Sequence, residues 1–235
     1  NATNVLTILS TLSSSNAPLS LRLTSMIGDD LFGHFIVDTL KPRIDVSCVV
    51  RGMTRTPLSQ ILVSGVNQSE RTIIHSPATL ELAASDLQPS DFVSDLDLLF
   101  LDGRQLSAAT ELVKHVNYDR TQVYLELERV RDEKIFDLIA FANYVECSEN
   151  FIDEYIDRKQ MTDVDDKLGR VLAELYVNLK RTERSFVVVT LGEKGSILLT
   201  KREINSLTQA RRIVKASDAL QETSQNEQVT AYNIS

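Results

Sequence analysis

VVVTLGEKGSILL, residues 187–199, is the stretch whose reading decides the fold. Val187, Val188, Val189 and Thr190 are all β-branched, so the run reads as a short buried strand. It ends in Thr190-Leu191-Gly192 and turns over Gly195. A glycine turn at the start of a helix lets backbone N–H groups approach an anion closely, which makes this turn a candidate phosphate contact. No glycine follows Gly195 in the 235 residues, so a second turn of that kind is missing downstream.

Upstream of this stretch the same punctuation repeats. Strands are predicted at 97–101, 122–127, 144–147 and 186–190, and helices at 108–116, 133–140 and 164–179. In the last helix Leu168, Val171, Leu172, Leu175 and Leu179 share one face. Short apolar strands alternating with helices predict an α/β fold with a mostly parallel sheet covered on both faces. Ligands of such sheets bind at the carboxyl ends of the strands. Gly103-Arg104, residues 126–129, Ser148 and residues 190–195 all lie just past strand ends, and topology alone draws them to one site.

The amino-terminal part is less regular. Val5, Leu6, Leu9 and Leu12 recur at helical spacing, and Leu19, Leu21 and Leu23 alternate like a strand. Asp30 is a helix N-cap ahead of Leu31, Phe32, Phe35, Ile36 and Leu40, read as facing inward, and Pro42 ends that helix. Strand-like runs at 58–63 and 71–75, joined by a polar link, predict a hairpin excursion. Beyond Arg202 the chain is polar with sparse apolar positions, which reads as a surface helix or a disordered tail; Arg211-Arg212 is read as a solvated helix face.

Composition bounds the function. A net charge of −8 argues against nucleic acid or an anionic membrane as partner. Cys48 and Cys147 are too few for a disulfide framework, and His34, His75 and His115 lack metal-ligand spacing. No apolar run approaches the length of about 20 residues that a membrane span needs. The chain opens on Asn1 without Met or a basic segment, so no signal peptide is read; a cytoplasmic location is expected, an organelle being open because the start is not native-looking.

The ordered pieces together resemble the PfkB, or ribokinase-like, carbohydrate kinases, on the ketohexokinase-like side of that family. They are Asn1-Ala2-Thr3-Asn4, Ile27-Gly28-Asp29-Asp30-Leu31-Phe32-Gly33, Glu70-Arg71-Thr72-Ile73, Leu101-Asp102-Gly103-Arg104, Leu125-Glu126-Leu127-Glu128 with Arg131-Asp132-Glu133, and Val189-Thr190-Leu191-Gly192-Glu193-Lys194-Gly195. The resemblance implies a ribokinase-like sheet with a small β lid and transfer of the ATP γ-phosphoryl group to a sugar hydroxymethyl group. It implies that Asn1 and Asn4 hold sugar hydroxyls, and that Arg104, Ser148, Thr190, Gly192 and Gly195 face the nucleotide. ATP and Mg2+ are the implied cofactors, a small sugar the substrate, and a second copy joined through the lid the implied partner.

Two departures accompany these matches. The family's Asn-x-x-Glu falls on Ser148-Glu149-Asn150-Phe151, so no metal ligand is assigned. Its Gly-Ala-Gly-Asp, which carries the anion hole and the general base, has no counterpart here, so no catalytic residue is assigned. The expectation is an incomplete kinase domain over 1–201, with a lid excursion near 46–75 and a polar tail or insertion at 202–235. It would lack the first strand and the carboxyl-terminal catalytic part. The chain itself is then inactive, its parent being an ATP-dependent sugar kinase; the alternative is a non-catalytic kinase-like protein that binds a nucleotide or a partner. On the residues alone, Asn1 and Asn4 are equally a helix cap and first turn, Arg104 a solvated loop residue, and Glu126 and Glu128 the polar face of a strand end.

Overall fold

In this computed structural model the described residues are 1–14, 16–52, 55–65, 70–78, 80–88, 92–161, 167–180 and 182–201, with the backbone of 210–215 and 230–234. They form two compact units, Asn1–Phe92 and Val93–Ser235.

The first unit contains α1 (Ala2–Leu12), β1 (Ser25–Gly28), α2 (Leu31–Leu40), β2 (Val49–Gly52), β3 (Leu58–Ser64) and β4 (Glu70–Ser76). β1 pairs with β2 in parallel, while β3 and β4 form the expected antiparallel hairpin, in register from Leu58 opposite Ser76 to Ser64 opposite Glu70. Leu23, Leu40 and Ile44 make a small core, with Leu6, Leu21, Ile36, Val46 and Val49 packed on it. The link residues 66–69 lie outside the described residues.

Two expectations for this unit are corrected. Leu19, Leu21 and Leu23 do not form a strand: only a single bridge, Arg22 to Asp45, is made there, and the strand begins at Ser25, where a four-residue partner is available. The inward face of α2 is also rotated from the predicted one. Leu31 is 79% exposed and Phe35 67%, whereas Gly33 and Leu40 are buried and Ile36 half-buried. The cause is Gly33, where a Cβ would lie 2.2 Å from the Gly28 carbonyl oxygen; only a bare glycine lets the helix sit this close, and that contact fixes its rotation. Asp30 caps the helix as expected, its carboxylate accepting from the Gly33 N–H at 2.8 Å.

The second unit is a seven-stranded sheet built from β5 (Leu98–Leu101), β6 (Gln122–Leu127), β7 (Tyr144–Ser148), β8 (Phe186–Thr190), β9 (Ser196–Thr200), β10 (Ala210–Lys215) and β11 (Thr230–Ile234). The strand order is β10-β11-β9-β8-β7-β6-β5. β5 to β8 run parallel, each beside its predecessor, and are connected by α3 (Leu106–Lys114), α4 (Ile135–Ile139), and then α5 (Glu149–Arg158) with α6 (Lys167–Asn178). Right-handed crossovers that always step in one direction put these helices on one face of the sheet. That face is the one carrying Val123, Leu125, Leu127, Val145, Val187 and Val189, all with 0% exposure. The opposite face bears a row of half-buried rings in register, Phe100, Tyr124, Tyr144 and Phe186, with neighbouring centroids 4.8 to 6.2 Å apart.

Here too the structure departs from expectation. α5 was not anticipated, although Ser148 caps it by accepting from the Phe151 N–H at 3.1 Å, and Phe151, Ile152 and Tyr155 form its buried stripe. The polar segment after Arg202 is neither a helix nor a tail at 210–215 and 230–234: β11 pairs antiparallel with β9, and β10 with β11. Arg211 and Arg212 lie in β10, not on a helix. Ladder bonds use backbone groups that every residue but proline carries, so sparse apolar content does not prevent pairing. Residues 202–209, 216–229 and 235, and residues 164–166 of the expected helix 164–179, lie outside the described residues.

Candidate functional site

Because β5, β6, β7 and β8 are parallel neighbours, their carboxyl ends share one edge of the sheet. The segments leaving that edge are 102–105, 128–131, 148–149 and 191–195, which brings Arg104, Ser148, Thr190, Gly192 and Gly195 to the same side. Asn1 and Asn4 belong to the first unit, at the head of α1. Asn1 takes the N-cap position without a side-chain capping bond, its carbonyl accepting from the Val5 N–H at 3.1 Å.

The loop after β5 is tightly built. Gly103 has φ +66°, and a Cβ there would lie 2.9 Å from the Glu126 carbonyl oxygen, so the chain passes against β6. Gln105 is also left-handed, at φ 49°. Arg104 between them points out half-exposed, its Nη2 donating to Glu128 Oε2 at 3.4 Å. Backbone strain of this kind concentrates where a side chain must be aimed.

A chain of side-chain contacts then runs along the edge from strand to strand. Arg131 Nη2 donates to the same Glu128 oxygen at 3.0 Å. The Ser148 hydroxyl donates to the Glu128 carbonyl at 2.7 Å while capping α5, so it joins the ends of β6 and β7 to that helix. Lys194 Nζ donates to Glu149 Oε1 at 2.9 Å, tying the turn after β8 to the first residue of α5. That bond, more than any other contact, raises the Lys194 ammonium above its ordinary range. Glu154 accepts from the Val130 N–H at 2.6 Å, which fixes the loop after β6 from the side of the helix. Sequence reasoning had assigned roles to Arg104 and Ser148 but not to Glu128, Arg131 or Lys194. The signal available for them was their position just past strand ends.

The glycine turn differs from its expected form. It joins β8 to antiparallel β9 through one 3₁₀ turn, Gly192–Lys194, and no helix begins there. Helix-dipole stabilisation of an anion is therefore not what it offers. Its glycines are needed for shape: φ is +57° at Gly192 and +87° at Gly195. The N–H groups of Leu191, Lys194 and Gly195 are spent inside the turn, on the Gly195, Leu191 and Gly192 carbonyls. A Cβ on Gly192 would meet nothing within 4 Å, so that side of the turn is open.

Other polar groups do structural work. Asp29 Oδ1 lies 3.1 Å from His34 Nε2 and 3.3 Å from Arg51 Nη1, which ties the turn before α2 to that helix and to β2. Burial pushes the Cys147 thiol well up, and its Sγ donates to the Val188 carbonyl at 3.5 Å. An open cleft of about 630 Å³ in the first unit is lined by Ser10, Thr11, Ser13, Leu19, Leu21 and Arg43. The Ser10 and Thr11 hydroxyls there are already donated to the Thr7 and Ile8 carbonyls.

With this edge in view, comparison with family models decides the assignment: residues 1–219 match the model described as pfkB family carbohydrate kinase. The chain belongs to the pfkB family. Solved structures of similar fold include the ribokinase of Thermotoga maritima, 17% identical, with a TM-score of 0.64 over 95% of this chain and 74% of that one. The fructokinase of Xylella fastidiosa is 17% identical at TM-score 0.63, over 84% and 62%. The adenosine kinase of Schistosoma mansoni, solved with adenosine, is 14% identical at TM-score 0.67, over 83% and 60%. The chain thus spans only about three fifths of the length of these last two. A search of curated proteins found no match.

Proposed function

We propose that the strand-end edge from Arg104 to Lys194 is a nucleotide site, and that the pfkB protein to which this chain corresponds transfers the γ-phosphoryl group of ATP to a hydroxymethyl group of a small sugar or nucleoside. The observation that carries this is the unbroken set of contacts Arg104–Glu128–Ser148–α5–Glu149–Lys194, which aligns two glycine-shaped loops on one sheet edge. Arg104 suits phosphate because its planar fork binds two oxygens at once. A fructokinase of Xylella fastidiosa of the same fold has been solved with ATP bound. Thr190, Gly192 and Gly195 are assigned to the nucleotide side and Asn1 and Asn4 to the sugar; Ser148 acts by holding the edge, its hydroxyl being engaged with Glu128 and Phe151.

The residues at 148–151 do not fit a magnesium site. Ser148 is committed, Glu149 is paired with Lys194, and the Phe151 side chain, where the family has a glutamate, is fully buried. Magnesium is therefore assigned to no residue of this chain. The glycine turn with a general-base aspartate has no match among the 235 residues, so residues 1–235 alone are proposed to bind a nucleotide without turning over. We assign the lid to 46–75, and a cytoplasmic location, on sequence grounds, and extend the kinase domain past 201, because the family match runs to 219 and β10 and β11 belong to the same sheet as β9; among the described residues no helix is long and apolar enough to cross a membrane.

The lid is proposed to pair with a second copy. Ile61, Val63 and Ile73 share one of its faces and Leu62 and Ile74 the other, all more than half exposed, and an isolated two-stranded hairpin is marginal in water. Sedimentation should find a dimer that Ile73→Glu dissociates.

The test of the site is calorimetry of ADP binding to the full chain. Arg104→Ala should weaken it by about 1.5–3 kcal/mol, the scale of a charge-assisted hydrogen bond. Unchanged affinity would remove Arg104 from the site, and turnover at a normal sugar-kinase rate in a coupled assay would overturn the inactive state of this chain.

A further inference from the structure

Glu128 is the hub of the edge. Its Oε2 accepts from Arg104 at 3.4 Å and from Arg131 at 3.0 Å, so guanidiniums from the loops after β5 and β6 converge on one oxygen. The three side chains are 40–45% exposed, and the Glu128 backbone is pinned by the Ser148 hydroxyl. Two positive groups against one negative leave the trio positive. Both loops are fixed behind it, the first by the close approach of Gly103 to the Glu126 carbonyl, the second by Glu154 on Val130.

We propose that Arg131 is a second phosphate-contacting residue, and that Glu128 is a stand-in anion that holds Arg104 and Arg131 together until a polyphosphate displaces it. This rests on the assignment of the edge as a nucleotide site. The physical reason is that like charges brought together need a counter-ion, and a half-exposed carboxylate supplies one without binding strongly. A chain of phosphates carries more negative charge and twice matches the guanidinium fork, so it replaces the carboxylate at both arginines. Glu128 is thereby a positioning residue that also sets how tightly the anion is held.

The experiment is titration of the 235-residue chain with ADP and with inorganic tripolyphosphate at two salt concentrations. Glu128→Gln keeps an acceptor oxygen for both arginines but removes the competing charge; it should bind both probes severalfold more tightly and with greater salt sensitivity. Arg131→Ala should bind both about tenfold more weakly, with Arg131→Lys between it and the parent. Melting curves establish that each variant is folded, and the salt dependence is a readout that a purely structural role would not shift. If Arg104→Ala weakens binding while Arg131→Ala does not, or if Glu128→Gln binds no more tightly than the parent, the proposal falls and the nucleotide site stands. If neither arginine matters, or the parent binds neither probe, both fall.

Discussion

Thr56 donates both its backbone N–H and its hydroxyl to the Asp30 carboxylate, at 2.8 and 2.7 Å. The same hydroxyl oxygen accepts from the Gly28 N–H at 3.0 Å. The Gly-Asp-Asp-Leu-Phe-Gly run is thus a structural knot: Gly28 ends β1, Asp30 caps α2, and Thr56 locks both to the segment leading into the β3–β4 hairpin.

Gly33→Ala should break that knot. The added Cβ would meet the Gly28 carbonyl at 2.2 Å and the Thr56 hydroxyl at 2.9 Å, and the first of these is backbone that cannot swing away. A loss of about 1–3 kcal/mol is expected from urea unfolding, the usual penalty of overpacking. Gly192→Ala, with open space around it but φ +57°, should lose about 1 kcal/mol, from backbone conformation alone.

Asp30 also sets a pH dependence. The Gly33 N–H, then the Thr56 hydroxyl and N–H, hold its carboxyl below the ordinary range. A carboxyl depressed in the folded state stabilises fully above its unfolded value, about 3.9, and that contribution is lost as pH falls through the folded value. The gap in melting temperature between the parent and Asp30→Asn should therefore be constant from pH 7 to 5 and shrink at pH 3.5. A gap that widens on acidification would contradict this.

Ser148→Ala should lower stability by about 0.5–2 kcal/mol, since it removes the α5 cap. It should also release the Glu128 carbonyl, so amide exchange at 128–131 should speed up along with the first turn of α5.

Of the two cysteines, Cys48 is half-buried and Cys147 buried with its thiol pushed up. A thiol reagent should modify one cysteine in the native protein and the second only in denaturant. Rapid labelling of both would show that the sheet opens near β7.

The parallel sheet was legible because its strands are short apolar runs at regular spacing; 122–127 and 186–190 were placed to the residue. The edge followed from topology, since parallel strands must end together. What escaped has physical causes. The rotation of α2 is set by a glycine contact that hydrophobic spacing does not encode, and α5 lies in a charged run where only its cap and four apolar residues, Phe151, Ile152, Tyr155 and Ile156, mark it. β10 and β11 form by backbone pairing, which composition does not report. Arg131 meets Glu128 locally, three residues on, but the contact of Arg104 with Glu128 spans two strand ends and appears only when the strands are laid side by side.

The central claim is that nucleotide binds along the strand-end edge, and the direct measurement is amide hydrogen exchange on the full chain with and without saturating ADP. Slowed exchange should appear at 102–105, 128–131 and 191–195, the three loops joined through Glu128, Ser148 and Lys194. An ADP footprint confined to the open cleft near Ser10 and Arg43, or to the lid strands 58–64 and 70–76, with the three loops unchanged, would contradict the account.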